Sequence, residues 1–272
     1  VTYFLLQKET NRKLNIIFRV YNEGVAFRYD FPRQESLNHF IVSDEKTIFN
    51  LVENHKAFWI PGDYDSQEYA YNETKLADID NSKLDMNNGI GLKSIASPFR
   101  VQSPLMLKSP SGVYINIFEA AVVNYPVMHL DVNVNKFDLK ADLVPNAIGD
   151  KAYLQTPCVS PWRTIMISND ARDIVSSKMI LNLNEPSKIA DTSWIKPMKY
   201  VGIWWEMHIG KATWDYAGSQ NAQNAADGQL KPSGKHGATT TNTKRYIDFA
   251  AKHGFDGVLV EGWNVGWEDW YG

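Results

Sequence analysis

The sequence contains little cysteine and no long apolar or basic run. Cys158 is the only cysteine among 272 residues, which excludes an internal disulfide and a cysteine-based metal site. Because no stretch of about 18 residues is continuously apolar, we predict no membrane insertion. With a net charge of −3 and no basic run, the chain is also a poor candidate for binding nucleic acid.

The first residues also lack the features of a secretory signal. Residues 1–6 have neither a charged start nor a small-residue cleavage site, and they are typical of the interior of a strand. We therefore expect the chain to begin inside a longer protein, so the missing signal says little about location. A single cysteine fits the cytoplasm, and it equally fits a periplasmic protein without disulfides.

Aromatic residues, in contrast, are plentiful and unevenly placed. They make up 12% of the sequence, and seven of the nine tryptophans follow residue 190. In residues 261–272 tryptophan alternates with carboxylates directly after an apolar run. Since an indole face stacks on flat rings and a carboxylate binds hydroxyls, this pattern favours a binding or catalytic role for the C-terminal third.

Residues 1–180 have the pattern of an antiparallel β domain. Short apolar or alternating runs are separated by Asn-Gly, Ser-Gly and proline-containing links, which favours a sandwich. The predicted strands cover residues 14–20, 25–31, 104–107, 113–118 and 164–167.

The pattern changes after a predicted linker at residues 181–198, which contains Pro186 and Pro197. In the third segment, 199–272, we predict a strand over 199–204, a polar loop of about thirty residues, a helix capped within 240–242 and stopped by Gly254, and a strand over 256–260. This order predicts parallel strands. The predicted fold is a mainly β sandwich followed by the start of a (β/α)8 barrel.

Polar and aromatic residues follow both predicted barrel strands. Active sites of such barrels lie at the carboxyl ends of the strands, so these residues are candidates for substrate binding. Packing of Trp204 in the barrel wall, and a hydrogen-bonding role for Glu206 and His208 at the rim, remain open as alternatives. The candidate substrate-binding residues are Trp205, Glu206, His208, Glu261, Trp263 and Asn264.

Glu119 is a lone carboxylate within an apolar run. A buried carboxylate needs a cation, a metal ion or hydrogen-bond donors, so a structural ion pair and a metal site both fit the pattern. Aromatic and acidic residues also mix in 59–72, which fits a sugar-contacting loop. For Lys235 and His236, in a glycine-flanked loop, a solvated loop is the favoured interpretation over an anion site.

Several of these segments resemble glycoside hydrolase family 97. The resemblance lies in residues 204–208, 234–240 and 254–264, and Glu119-Ala120-Ala121 and residues 59–64 are similar to the N-terminal domain of that family. It implies an N-terminal β-supersandwich, a central (β/α)8 barrel and a small C-terminal β domain. This chain would supply the sandwich and the first strand, helix and second strand of the barrel, with the remainder of its own barrel as partner.

The resemblance is closer to the inverting, α-glucosidase-like branch. It implies calcium-dependent hydrolysis of α-glucosidic bonds in oligosaccharides, with Glu119 as a calcium ligand, and we expect a periplasmic location. The catalytic glutamates of the family lie on later barrel strands, so we expect none within this chain and interpret Glu206 and Glu261 as orienting groups. A retaining α-galactosidase and a non-catalytic carbohydrate-binding β-sandwich remain as alternatives.

Overall fold

Antiparallel strands dominate the first of two units in the computed structural model. The structure describes residues 1–84, 95, 97–220, 222–223 and 229–261, and the chain divides into units Val1–Pro186 and Ser187–Gly272. The strands of the first unit are β1 (Thr2–Gln7), β2 (Arg12–Tyr21), β3 (Gly24–Phe31), β4 (His39–Val42), β5 (Ile48–Asn50), β6 (Lys56–Trp59), β7 (Asn72–Lys75), β8 (Arg100–Gln102), β9 (Leu105–Lys108), β10 (Tyr114–Ala120), β11 (Met128–Asn133), β12 (Asp138–Leu143), β13 (Ala152–Gln155), β14 (Cys158–Val159) and β15 (Trp162–Ser168).

Three sheets organise these strands. The largest has nine strands in the order β1-β2-β3-β15-β10-β9-β6-β7, with β14 paired to β3. A four-stranded sheet has the order β5-β12-β11-β8, and β13 pairs with β4. The main core contains buried residues of both larger sheets, among them Trp59, Leu107 and Leu139. The predicted antiparallel β class is thus confirmed.

Local sequence explains the best-predicted hairpin, β2–β3. Its turn closes at Gly24, which has a φ of +151°. A Cβ at this position would lie 2.0 Å from the carbonyl oxygen of Ile165, so only glycine fits between the turn and β15. Strand β12 is explained by its alternating pattern of apolar and polar residues, because every second residue, Leu139, Ala141 and Leu143, is buried in the core.

Two short helices end the first unit, α1 (Ala171–Ser176) and α2 (Met179–Leu183). Met179 and Leu183 are one helical turn apart and pack with Trp162 in a second buried cluster. The first residues of the segment predicted as a linker therefore belong to a helix, and the unit boundary falls after Pro186.

The second unit contains the predicted parallel pair. Its elements are β16 (Tyr200–Gly202), α3 (Trp205–His208), α4 (Tyr216–Gln220), β17 (Ala222–Gln223), β18 (Leu230–Lys231), α5 (Thr240–His253) and β19 (Gly257–Leu259). β16 and β19 are parallel, with Tyr200 opposite Gly257. Asp256 aligns the two strand starts, since its backbone N–H donates to Lys199 O at 2.7 Å and its carboxylate accepts from Lys199 N at 2.9 Å.

Helix α5 begins one residue earlier than the sequence predicts. Thr239 is the N-cap, and its hydroxyl accepts from the backbone N–H of Asn242 at 3.2 Å. Gly254 ends the helix in a left-handed conformation at φ +72°, as predicted. Strand β16 is shorter than the sequence predicts. Trp204 has helical dihedral angles and leads into α3, so it does not belong to the strand.

None of the helices that the structure describes is long and apolar enough to cross a membrane.

Candidate functional site

Glu206 follows β16 and is held by one face of α5. Its carboxylate accepts hydrogen bonds from Asn242 Nδ2 at 3.1 Å and from the guanidinium of Arg245. Tyr246 is a further hydrogen-bond partner. Arg245 and Tyr246 follow Asn242 by three and four positions, so the three side chains share one side of the helix. Glu206 therefore anchors α3 to the first half of α5.

The same contacts keep Glu206 ionised. Partial burial of its side chain, which is 19% exposed, acts to raise its pKa. The hydrogen bonds from Arg245 and Asn242 and the charge of Arg245 outweigh burial, so the net pKa of Glu206 is lowered. An ionised carboxylate with several donors suits an orienting role better than proton transfer near neutral pH.

His208 and three tryptophans form an aromatic cluster beside Glu206. Trp204 Nε1 donates to His208 Nε2, which assigns the imidazole proton to Nδ1 when the ring is neutral. The ring of Trp204 also packs edge-on against Trp214, with centroids 4.8 Å apart. Trp205 is 67% exposed and lies 5.8 Å from the His208 ring. The cluster thus offers an open indole face next to a hydrogen-bonding imidazole.

The structure brings only part of the predicted set together. Trp205, Glu206 and His208 share the short helix α3. Glu261 is exposed in the residues after β19. Trp263 and Asn264 lie outside the described residues, and their predicted roles stay predictions.

The glycine-flanked loop near α5 is tied to the preceding chain. Thr213 N donates to the carbonyl oxygen of Lys235 at 2.8 Å, and Gly237 N donates to Thr213 O at 2.9 Å. Lys235 itself is exposed, and the ring of His236 packs edge-on against Tyr216 at 5.1 Å. These contacts give the loop a structural role, and the predicted choice between a solvated loop and an anion site stays a prediction.

In the first unit, Glu119 belongs to a buried ionic network. It lies opposite Arg163 across β10 and β15, and the Arg163 guanidinium donates to it. Met128 N donates to the other carboxylate oxygen at 2.9 Å. Arg163 is fully buried and also donates to Glu45, at 2.9 Å from Nε and 2.6 Å from Nη2. Tyr125 completes the network by donating to Glu45 at 3.0 Å.

The two carboxylates of this network differ in electrostatics. Burial raises the pKa of Glu119 and outweighs the attraction of Arg163, whose charge is shared. For Glu45 burial also acts to raise the pKa, but the paired hydrogen bonds and charge of Arg163 outweigh it, and the net pKa is lowered. Arg163 therefore interacts more strongly with Glu45 than with Glu119.

Sequence reasoning found Glu119 but missed Glu45 and Arg163. A signal for Arg163 was present, since it is the one charged residue of the apolar strand β15. Glu45 carried no such signal, because it lies outside the strands and 118 positions from its partner.

Calcium needs about six to eight oxygen ligands. Both oxygens of Glu119 already accept hydrogen bonds from Met128 and Arg163. Within the described parts of the chain, no group of three or more His, Cys, Asp or Glu side chains is arranged to hold a metal ion. These residues therefore do not form a calcium site by themselves, and calcium binding by Glu119 stays a prediction.

The aromatic and acidic loop after β6 is internally bonded. Asp63 accepts from Asp65 N at 2.8 Å and from the hydroxyl of Tyr69. Tyr64 donates to Asp142 at 3.1 Å and accepts from Arg100 at 2.6 Å. These groups stabilise the loop, and its predicted contact with sugar stays a prediction.

A β-sandwich followed by a parallel β-α-β unit, with carboxylate, imidazole and indole groups after its strands, fits the start of a barrel-type enzyme, in which the site lies at the carboxyl ends of the strands. Comparison with known families makes this specific. The chain belongs to glycoside hydrolase family 97: the family description "Glycosyl-hydrolase 97 N-terminal" matches residues 2–186, and "Glycoside hydrolase 97" matches residues 204–272.

Solved structures of this family and curated relatives named as glycosidases are similar to the chain. A family 97 enzyme from Pseudoalteromonas sp. strain K8 in complex with acarbose is 40% identical, with a TM-score of 0.75 over 98% of this chain and 35% of that chain. A variant of that enzyme in complex with panose is 41% identical, with a TM-score of 0.75 over 99% of this chain and 36% of that chain. A retaining alpha-galactosidase from Bacteroides thetaiotaomicron is 25% identical over 92% of this chain and 37% of its own length.

A probable retaining alpha-galactosidase from Streptomyces bingchenggensis is 24% identical, over 99% of this chain and 34% of its own length. The chain thus spans about a third of the length of the relatives it matches.

Proposed function

We propose that this chain is part of a glycosidase that hydrolyses α-glucosidic bonds of oligosaccharides. The observation that carries the proposal is the 40% identity, over 98% of the chain, to an enzyme that binds acarbose. A variant of that enzyme binds panose, a trisaccharide of α-linked glucose. The relatives named alpha-galactosidase are less similar, at 25% and 24% identity.

The geometry supports a substrate-binding role for the second unit. Trp205 presents an exposed indole face, and His208 has a ring nitrogen fixed by Trp204. Glu206 is oriented by α5 and stays ionised, so we assign it to positioning of its neighbours. We place the general acid and the general base on later barrel strands of the complete enzyme. Within this chain we assign Glu261, Trp263 and Asn264 as further substrate contacts.

Hydrolysis of 4-nitrophenyl α-glucoside and α-galactoside by the complete enzyme tests the substrate class. We expect kcat/KM to favour the glucoside, and no comparable turnover by the 272-residue chain alone. A preference for the galactoside would overturn the glucosidase assignment. Glycosidase-like turnover by the chain alone would show that it contains the catalytic pair.

Inversion, calcium dependence and periplasmic location are further parts of the proposal and are supported by the family resemblance. An inverting enzyme uses two carboxyl groups about 6.5–9.5 Å apart and releases the β anomer first from an α-glucoside. Proton NMR of the first product distinguishes this from retention. Removal of calcium with a chelator is expected to abolish turnover, and added calcium to restore it.

A retaining α-galactosidase is the alternative with specific support, because the two curated relatives named above are described as a retaining and a probable retaining alpha-galactosidase. It predicts α-galactose as the first product and turnover of the α-galactoside. The same two assays therefore decide between the branches.

A further inference from the structure

A cavity of about 860 Å³ lies wholly within the first unit. It is bordered by the residues after β10 and by β13 with the segments on either side of it. Its volume lies within the range of about 300–1,000 Å³ that is usual for small-molecule sites. None of the residues assigned to the proposed glycosidase site lines it.

Two tyrosines on the wall of this cavity are held in fixed orientations. The hydroxyl of Tyr125 donates to Glu45 at 3.0 Å, inside the buried ionic network. The hydroxyl of Tyr153 donates to Asp150 and lies 3.4 Å from Asn146 Nδ2. Asn146 is itself fixed, since it accepts from two backbone N–H groups of its turn, at 3.0 and 2.9 Å. An aromatic ring oriented in advance can stack on a ligand ring with little loss of entropy.

The lining carries no free charge in the described structure. Lys151 is its one cationic residue, and the ammonium group donates to Leu143 O and lies 3.9 Å from Asp142. No aspartate or glutamate is among the lining residues. Burial raises the pKa of the Cys158 thiol, so that group is neutral as well. The cavity therefore suits an uncharged ligand.

Two side-chain amides supply hydrogen-bonding capacity. Asn124 and Gln155 line the cavity and are exposed. Across the described residues neither amide has a hydrogen-bond partner within the protein. Each amide offers both donors and an acceptor, and adjacent sugar hydroxyls need both. Tyr153 is 58% exposed, which leaves its ring accessible for stacking on a sugar.

We propose that this cavity is a non-catalytic saccharide-binding site that takes a short, neutral oligosaccharide. In this site the Tyr153 ring stacks on a pyranose face, and Asn124 and Gln155 bind hydroxyl groups. It goes beyond the proposed hydrolytic function and does not depend on it.

Titration of the 272-residue chain with maltotriose, followed by NMR, tests the proposal. We expect saturable binding that Tyr153→Ala weakens by about tenfold, because the change removes the ring that stacks on the sugar. Tyr153→Phe keeps the ring and is expected to retain affinity within about threefold. Tyr3→Ala is the matched control, because Tyr3 is 57% exposed on another strand. Thermal unfolding of each variant verifies that it folds.

Two results would overturn the proposal. One is the absence of saturable binding to the folded chain. The other is unchanged affinity of Tyr153→Ala with loss of binding in Trp205→Ala, which places the sugar in the second unit. That second result removes the cavity site and leaves the proposed hydrolytic function intact.

Discussion

The two units differ in how their polar groups are held. In the first unit, Arg163 is fully buried and joins Glu119 on the paired strand to Glu45, which lies outside the strands and 118 positions away. In the second, Glu206 depends on one helix, and its partner Arg245 is 63% exposed. Of the described buried apolar residues, only Ile203 and Ala250 belong to the second unit. The sandwich thus contains the stabilising core, while the second unit presents its groups near the surface.

Replacing Arg163 by leucine should have the largest effect on stability. It leaves two buried carboxylates without their cation, and breaking a buried ion pair costs about 3–5 kcal/mol. Urea unfolding of the first unit measures the loss. Arg172→Leu is the control, because Arg172 is 90% exposed in its pair with Asp170, so this change should alter stability little. Equal losses in the two variants would contradict the importance of the buried network.

Replacing Glu45 by glutamine should cost about 2 kcal/mol at pH 7, because it weakens charged hydrogen bonds. The pKa of Glu45 is lowered in the fold, so its stabilisation is present above its unfolded pKa and is lost as pH falls through the folded value. The penalty of Glu45→Gln should therefore shrink towards pH 4.

Glu119→Gln is the matched comparison and should show the opposite trend. The pKa of Glu119 is raised, so its contribution is present below the unfolded pKa and is lost as pH rises through the folded pKa. Its penalty should be smaller at pH 7 than at pH 4. Unfolding curves at several pH values measure both trends, and parallel pH profiles would refute the assignment of Arg163 mainly to Glu45.

Removing the N-cap of α5 should cost about 1 kcal/mol. Thr239→Ala deletes the hydroxyl that accepts from Asn242 N. Hydrogen exchange at the start of α5 should accelerate accordingly. Thr240→Ala tests the cap position expected from sequence and should leave exchange nearly unchanged. A larger acceleration of exchange in Thr240→Ala than in Thr239→Ala would place the N-cap at Thr240.

Replacing Glu206 by glutamine should have the smallest effect, about 0.5 kcal/mol, since its ionic partner is largely exposed. Exchange should accelerate where Asn242 and Arg245 contact Glu206. Asp248→Asn, an exposed change on the same helix, is the control. An effect of Glu206→Gln as large as that of Arg163→Leu would remove the contrast between the units.

Much of the local structure could be predicted from sequence. The turn at Gly24, the helix stop at Gly254 and the parallel pair around α5 each depend on residues a few positions apart. Trp204 was predicted wrongly as a strand residue, because its apolar neighbours continue the strand pattern while the backbone already turns into α3.

The β-rich first part, the β-α-β unit and the lone acid at Glu119 can be read from the order of the amino acids, because turn chemistry and apolar periodicity act over short distances. The groups that surround Glu119 become known only from the folded chain. The order of strands brings Arg163 opposite Glu119 across 44 positions and Glu45 to Arg163 across 118. Such partners follow from sheet topology, which no local pattern specifies.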